Sequence, residues 1–166
     1  IWIRHVLIPT KTDDPQDLTD LNTFIETLPN VAPKHVARIT ELVKSGFYDG
    51  LTFHRVIDGF MAQTGCPLGN GTGGSKAHIV GEFRSNGHKN PISHKRGVIS
   101  MARNGSSYDS ASSQFFIMHQ DAKHLDGQYA AFGKVTSGMD VVDAIAKTRT
   151  GMQDRPVEPQ KIASIT

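Results

Sequence analysis

A mainly β fold, a barrel or sandwich with two helices laid against it, is predicted by two features of the sequence. The 16 glycines are concentrated between positions 46 and 138, in short turns that separate brief apolar runs, the spacing of an all-β domain. Only two segments depart from that rhythm, and in both the apolar residues recur at helical spacing. A chain of 166 residues fits one compact domain, here residues 1–166, with a core that needs no disulfide staples.

The elements follow in order. The runs WIRHVLIP (2–9) and NTFIETLP (22–29) read as the first strands. In APKHVARITELVKSG (32–46), Val36, Ile39, Leu42 and Val43 form one helical stripe. Pro33 suits its first position, where the missing N–H costs nothing, and Gly46 suits its stop. LTFHRVI (51–57) and FMAQTG (60–65) are strands around Asp58-Gly59, and GVISMAR (97–103), SQFFIMH (113–119) and YAAFGKV (129–135) are three more. SGMDVVDAIAK (137–147) carries a second helical stripe, Met139, Val142, Ile145 and Ala146, with Ser137 as its cap and Lys147 at the negative end of its dipole. EPQKIASIT (158–166) is the last strand. Each helix has one apolar face and must cover something; an open end of a closed sheet is the natural target. No internal repeat or low-complexity tract interrupts the chain.

The Asp58-Gly59 dipeptide is a strong hairpin signal, and its register matters. A two-residue loop places Arg55 opposite Ala62. A three-residue loop that includes Phe60 places Arg55 opposite Gln63 and on the same face as Met61. Only the second register gathers a guanidinium, an amide and a thioether into one patch.

Several function classes are disfavoured. The net charge is +2 and the 18 Lys and Arg are scattered, so a basic nucleic-acid footprint is missing. No window approaches the roughly 20 apolar residues of a membrane-spanning helix. Cys66, the single cysteine, excludes an internal disulfide, suits a reducing compartment such as the cytoplasm, and reads as an inert small hydrophobe. No serine sits in a Gly-x-Ser-x-Gly elbow, and His54, His94, His119 and His124 lack metal-ligand spacing. The GNGTGG run (69–74) lacks the Lys-Ser/Thr ending of a phosphate loop, and RNGSSYDSASS (103–113) is a turn-rich loop.

What remains is the patch around Arg55, and it admits two readings. In one, Arg55 pairs with a carboxylate at a barrel end while Phe60, Met61 and Phe116 are core. In the other, one cation beside an apolar pocket serves a reaction. Rotation about an X-Pro amide is such a reaction: delocalisation of the nitrogen lone pair gives it a barrier of roughly 18–20 kcal/mol. A guanidinium can hydrogen-bond the prolyl nitrogen only as that nitrogen pyramidalises, so the contact is stronger in the transition state than in the ground state.

The motifs FHRVIDGFMAQTG, GNGTGG, GVISMAR, SASSQFFIM and LDGQYAAFGKVTSGMDVVD, in this order over residues 31–166, resemble the cyclophilins, peptidyl-prolyl cis-trans isomerases, and are nearest in wording to bacterial single-domain members. The resemblance implies a closed eight-stranded antiparallel barrel capped by two helices, with the site on its outer face. It implies Arg55 as the catalytic guanidinium, with Gln63 orienting it and the substrate carbonyl. Phe60, Met61, Phe116 and Leu125 are implied as the proline pocket. The backbone of Ala102, Arg103 and Asn104 would pair with the substrate chain, and Gln114 and Gly71 would line the neighbouring groove. Tyr129 stands where many eukaryotic members carry histidine, and its phenol still donates a hydrogen bond. His124 stands where cyclosporin-sensitive members carry tryptophan, which implies weak cyclosporin binding. No cofactor or metal is implied. The implied partners are proline-containing peptides and unfolded or folded protein clients of a cytoplasmic monomer. The first thirty residues depart from the family: PTKTDDPQDLTD has no glycine where a tight turn usually joins the first two strands. A proline-peptide binding module using the same groove without turnover is the alternative reading, and a hydrolase lacks any supporting motif.

Overall fold

The computed structural model describes residues 2–7, as backbone, and 22–166. Its strands are β1 (Trp2–Leu7), β2 (Asn22–Thr27), β3 (Arg55–Ile57), β4 (Met61–Thr64), β5 (Val98–Met101), β6 (Phe115–Met118), β7 (Ala131–Ser137) and β8 (Gln160–Ile165), with helices α1 (Pro33–Lys44) and α2 (Met139–Ala146). Every neighbouring pair in the order β3-β4-β6-β5-β7-β2-β1-β8 is antiparallel. β3 and β8 are the two ends of this sheet, and among the described residues no ladder joins them, so the sheet is eight-stranded without closure strand to strand. Residues 8–21, which hold the whole glycine-free PTKTDDPQDLTD stretch, lie outside the described residues; β1 and β2 pair with Trp2 opposite Phe24.

The expected strand 51–57 is a correction. Only Arg55–Ile57 pairs with β4. The preceding residues turn to β8 instead, through Gly50 N–H to Ile162 O (2.7 Å), Ile162 N–H to Leu51 O (2.8 Å) and Phe53 N–H to Gln160 O (2.9 Å), with an isolated bridge between Thr52 and Lys161. The run reads as one strand because Thr52, Phe53, Val56 and Ile57 favour extended backbone, yet it serves two partners in succession.

Strand alternation sets the core. Ala62, Ile99, Phe115, Ile117 and Phe132 point to one side, where they meet Val36 and Ile39 of α1 and Val141, Val142 and Ile145 of α2. The intervening residues Met61, Val98, Phe116 and Met118 face the other side, and they are buried too, in a second cluster with Ala122 and Leu125. A sheet buried on both faces loses the polar alternation of a one-sided strand. That second apolar face holds the candidate site.

Both helices form where the stripes predict. α1 begins with Pro33 after Ala32 and gives way to Gly46 at φ 72°, as expected. The expected Ser137 cap of α2 is overturned: Ser137 ends β7, and the cap position is Gly138 with φ 86°. A β-carbon there would lie 2.2 Å from the Asn22 carbonyl oxygen, so the close crossing over β2 selects glycine rather than a capping hydroxyl. Among the described residues no helix is long and apolar enough to cross a membrane.

Candidate active site

The hairpin β3–β4 takes the register with Arg55 opposite Gln63, Val56 opposite Ala62 and Ile57 opposite Met61. The loop is Asp58-Gly59-Phe60, closed by Phe60 N–H to Ile57 O (3.0 Å), with Gly59 at φ 76°, the left-handed position that this turn requires. Val56 and Ala62 enter the core, whereas Arg55, Met61 and Gln63 face the second cluster's side of the sheet.

There a hollow of about 170 Å³ is lined by Arg55, Phe60, Met61, Gln63, Ala102, Arg103, Phe116, Leu125 and Tyr129. Its volume suits one side chain rather than a drug-sized ligand. Met61, Phe116 and Leu125 are buried, while the Arg55 side chain is 45% exposed. The hollow is thus an apolar cup with a cation at its lip. Tyr129 meets Phe116 edge to face at 5.8 Å, and the Arg103 guanidinium lies over the rings of Tyr129 (4.6 Å), Tyr108 (5.0 Å) and Phe83 (5.3 Å), which anchors this wall by cation–π attraction. His124 is exposed and tilts against Phe60 at 5.8 Å between ring centres.

Beside the hollow runs a polar groove of about 400 Å³, whose lining includes Gln63, Gly71, Ala102, Arg103, Asn104 and Gln114. An amide relay fixes its floor: Gln63 Nε2 donates to Gln114 Oε1 (2.9 Å), and Gln114 Nε2 donates to the carbonyls of Gly71 (2.9 Å) and Gly73 (2.7 Å). The sequence-predicted residues therefore converge on two adjoining cavities. Gln63 stands opposite Arg55 and donates its Nε2 to Gln114, and the charged neighbour of Arg55 is Asp154, with Oδ2 3.9 Å from Nε. Ala102 N–H already bonds to Gln114 O (2.9 Å) as β5 runs on past its last ladder pair.

Two supports escaped the sequence reading, which weighed the histidines only as ligands or bases. Behind Phe116 the His94 ring is stacked at 6.2 Å. Asp126 receives His94 N–H (2.6 Å), His94 Nδ1 (3.0 Å) and Ser93 Oγ (2.6 Å), and Ser100 Oγ stands 2.9 Å from His94 Nε2. Burial lowers the His94 pKa against the pull of Asp126, so the imidazole stays neutral and locks the wall that carries Leu125. His119 pins the loop that carries Phe60: its ring Nδ1 accepts Gly59 N–H (2.9 Å), and its backbone N–H donates to Phe60 O (2.8 Å). His119 Nε2 lies 3.1 Å from Asp143, a carboxyl that hydrogen bonds from Arg96 hold below the usual range. Next to Arg55, His54 is driven down to about 4 by burial and then by Arg155 and Arg55, so it too is neutral. No local spacing announces the His94–Asp126 and His119–Gly59 pairings, because each joins distant segments.

Comparison with known proteins places this arrangement. The family model described as cyclophilin type peptidyl-prolyl cis-trans isomerase/CLD matches residues 19–166, a wider span than the motifs alone. Peptidyl-prolyl cis-trans isomerase B of Bacillus subtilis is 50% identical over 115 residues, which are 69% of this chain and 76% of that one. The peptidyl-prolyl cis-trans isomerase of Helicobacter pylori (strain ATCC 700392 / 26695) is 48% identical over 126 residues, 75% of this chain and 74% of its own. Among solved structures, a cyclophilin type peptidyl-prolyl cis-trans isomerase of Cryptosporidium parvum, crystallised in the presence of the dipeptide Ala-Pro, superposes with a TM-score of 0.79 at 26% identity, covering 86% of this chain and 90% of that one. With every hollow-lining residue inside the matched span, this chain belongs to the cyclophilin-type peptidyl-prolyl cis-trans isomerase family.

Proposed function

We propose that the chain, acting as a single domain, catalyses rotation about X-Pro peptide bonds in peptides and in unfolded or folded protein clients, with Arg55 as the catalytic cation. The observation that carries this reading is a half-exposed guanidinium at the lip of an apolar cup formed by Phe60, Met61, Phe116 and Leu125. The cup seats the proline ring. Arg55 then donates to the prolyl nitrogen as the amide twists and the lone pair localises, an interaction absent from the planar ground state. Gln63, Gln114 and the 102–104 backbone align the rest of the chain along the groove, and Gln63 is free to exchange Gln114 for a substrate carbonyl. We also read residues 50–53 against β8 as closing the sheet into a barrel, on the support of their backbone bonds.

This mechanism needs no titrating base. Peptide isomerisation followed by NMR exchange or a coupled assay is expected to vary by less than about twofold between pH 6 and 8, since a guanidinium keeps its charge throughout that range. His54, held near 4, also does not change charge there. A dependence steeper than tenfold would assign the chemistry to an imidazole.

His124 supports a second expectation, weak cyclosporin binding, because an imidazole presents less apolar area beside Phe60 than an indole and the contact is at the rim. In a calorimetric titration, His124→Trp is expected to tighten cyclosporin by about tenfold, the equivalent of one good added contact. Tight binding by the unaltered chain would overturn it.

A further inference from the structure

The segment Arg149–Val157 folds back on itself, through Val157 N–H to Arg149 O (2.9 Å), Gly151 N–H to Arg155 O (2.8 Å) and a bridge between Thr150 and Pro156. Its tip holds Gln153 (φ 59°) and Asp154 (φ 56°), which among the described residues are the only non-glycine residues at positive φ. Two consecutive non-glycine residues in the left-handed region cost backbone energy relative to glycine. The tip is a tight hairpin turn, closed by Arg155 N–H to Met152 O (3.3 Å), whose two central residues sit at positive φ; among the described residues the Asp154 carboxylate makes no hydrogen bond within it, and its charged neighbour is Arg55, across the chain in β3.

That neighbourhood is a cavity of about 280 Å³ lined by His54, Arg55, Gln63, Asn70, Gly71, Gln153, Asp154 and Arg155. It brings two guanidiniums together, and Asp154 is the one acid in the lining. Gln63 stands opposite Arg55 but donates its Nε2 to Gln114, and among the described residues no hydrogen bond joins it to Arg55. We propose that Asp154 is a positioning residue for Arg55: its carboxylate holds the Nε edge of the guanidinium, offsets the repulsion of Arg155, and leaves the two Nη groups for the substrate. The turn sets that carboxylate beside Arg55. This inference rests on reading Arg55 as the catalytic cation.

The test compares wild type, Asp154→Asn, Asp154→Glu, Asp154→Gly and Arg55→Ala on one proline peptide. It adds the Arg55 Nε–Hε NMR resonance, assigned by its absence in Arg55→Lys. Asp154→Asn is expected to lower kcat about two- to fivefold, the scale of a half-exposed ion pair, with KM changed by less than about twofold, and to shift the Arg55 resonance. Asp154→Glu should restore most of the loss. Asp154→Gly separates the role from folding, since glycine relieves the positive φ: its thermal midpoint should match or exceed wild type while kcat still falls. Wild-type kcat and an unmoved Arg55 resonance in both Asp154→Asn and Asp154→Gly would overturn the inference if Arg55→Ala loses turnover. Retained turnover in Arg55→Ala would overturn the underlying reading first.

Discussion

Replacing Arg55 by alanine is expected to lower kcat/KM for a short proline peptide by about 100- to 1000-fold, the range found when one preorganised donor to a transition state is removed. Affinity for the same peptide, measured by calorimetry or NMR titration, should change by less than about threefold. The asymmetry follows from where the contact exists. In the planar ground state the prolyl nitrogen has no lone pair to offer, so the guanidinium contributes little to binding; in the twisted state it accepts a hydrogen bond. The apolar cup that carries the binding remains intact, because Phe60, Met61, Phe116 and Leu125 form it without the arginine. The half-exposed side chain also contributes little to the core, so the thermal midpoint should barely move. Equal losses in turnover and affinity would favour the alternative, a proline-binding module in which Arg55 simply contacts peptide.

The largest effect on stability is expected from Glu82→Ala. Helix α1 starts without a side-chain cap of its own, and the N–H groups of its first turn are left without intrahelical partners. Glu82 supplies what is missing: its carboxylate accepts Lys34 N–H (3.0 Å), His35 N–H (3.0 Å) and His35 Nδ1 (2.5 Å), and the residue is 2% exposed. Its negative charge also meets the positive end of the helix dipole. Removing it strands buried donors, at about 3–5 kcal/mol, which lowers the thermal midpoint by about 10 °C for a domain of this size. A shift under about 3 °C in calorimetry would show the helix start to be held otherwise.

The same pair predicts an acid response. Burial raises the Glu82 pKa, but the hydrogen bonds from His35 and Lys34 outweigh it and leave it below the ordinary 4.5. A carboxylate depressed in the folded state stabilises the fold above its unfolded pKa, and that contribution is lost as pH falls through the folded value. His35 is lowered from 6.5, by burial first, against the pull of Glu82. Below 6.5 the unfolded chain therefore takes a proton that the folded chain refuses, again favouring unfolding in acid. Both groups act in one direction, so the wild-type midpoint should fall steadily from pH 7 downward. The part below about pH 4.5 should shrink in Glu82→Ala without vanishing, because the depressed carboxyls of Asp126 and Asp143 still contribute there.

Much of the site could be read before any coordinates. The Asp58-Gly59 dipeptide marked the turn locally, and of the two registers it allows only the one with Phe60 in the loop groups Arg55 with Gln63 and Met61. The helical stripes of α1 and α2 are equally local, since three or four residues decide which face is apolar. Illegible from the sequence were the features that depend on which strand lies beside which. The run 51–57 reads as one strand but has two partners, because the sheet ends there and β8 lies within reach of its first half. Ser137 has the chemistry of a cap, yet the crossing against Asn22 admits only Gly138 at the helix start.

By itself the sequence determined the β-rich class, the two helices, the hairpin turn and the grouping of an arginine with an apolar patch, because each follows from backbone preference and side-chain period within a few residues. Only the tertiary structure decided that Glu82 caps a helix 47 residues away, that Gln63 bonds to Gln114 across 51 residues, and that Asp154 stands beside Arg55. Such polar contacts carry no periodic signature. They are set by strand order, which brings distant segments within hydrogen-bond range and then leaves buried donors and carboxylates to be matched.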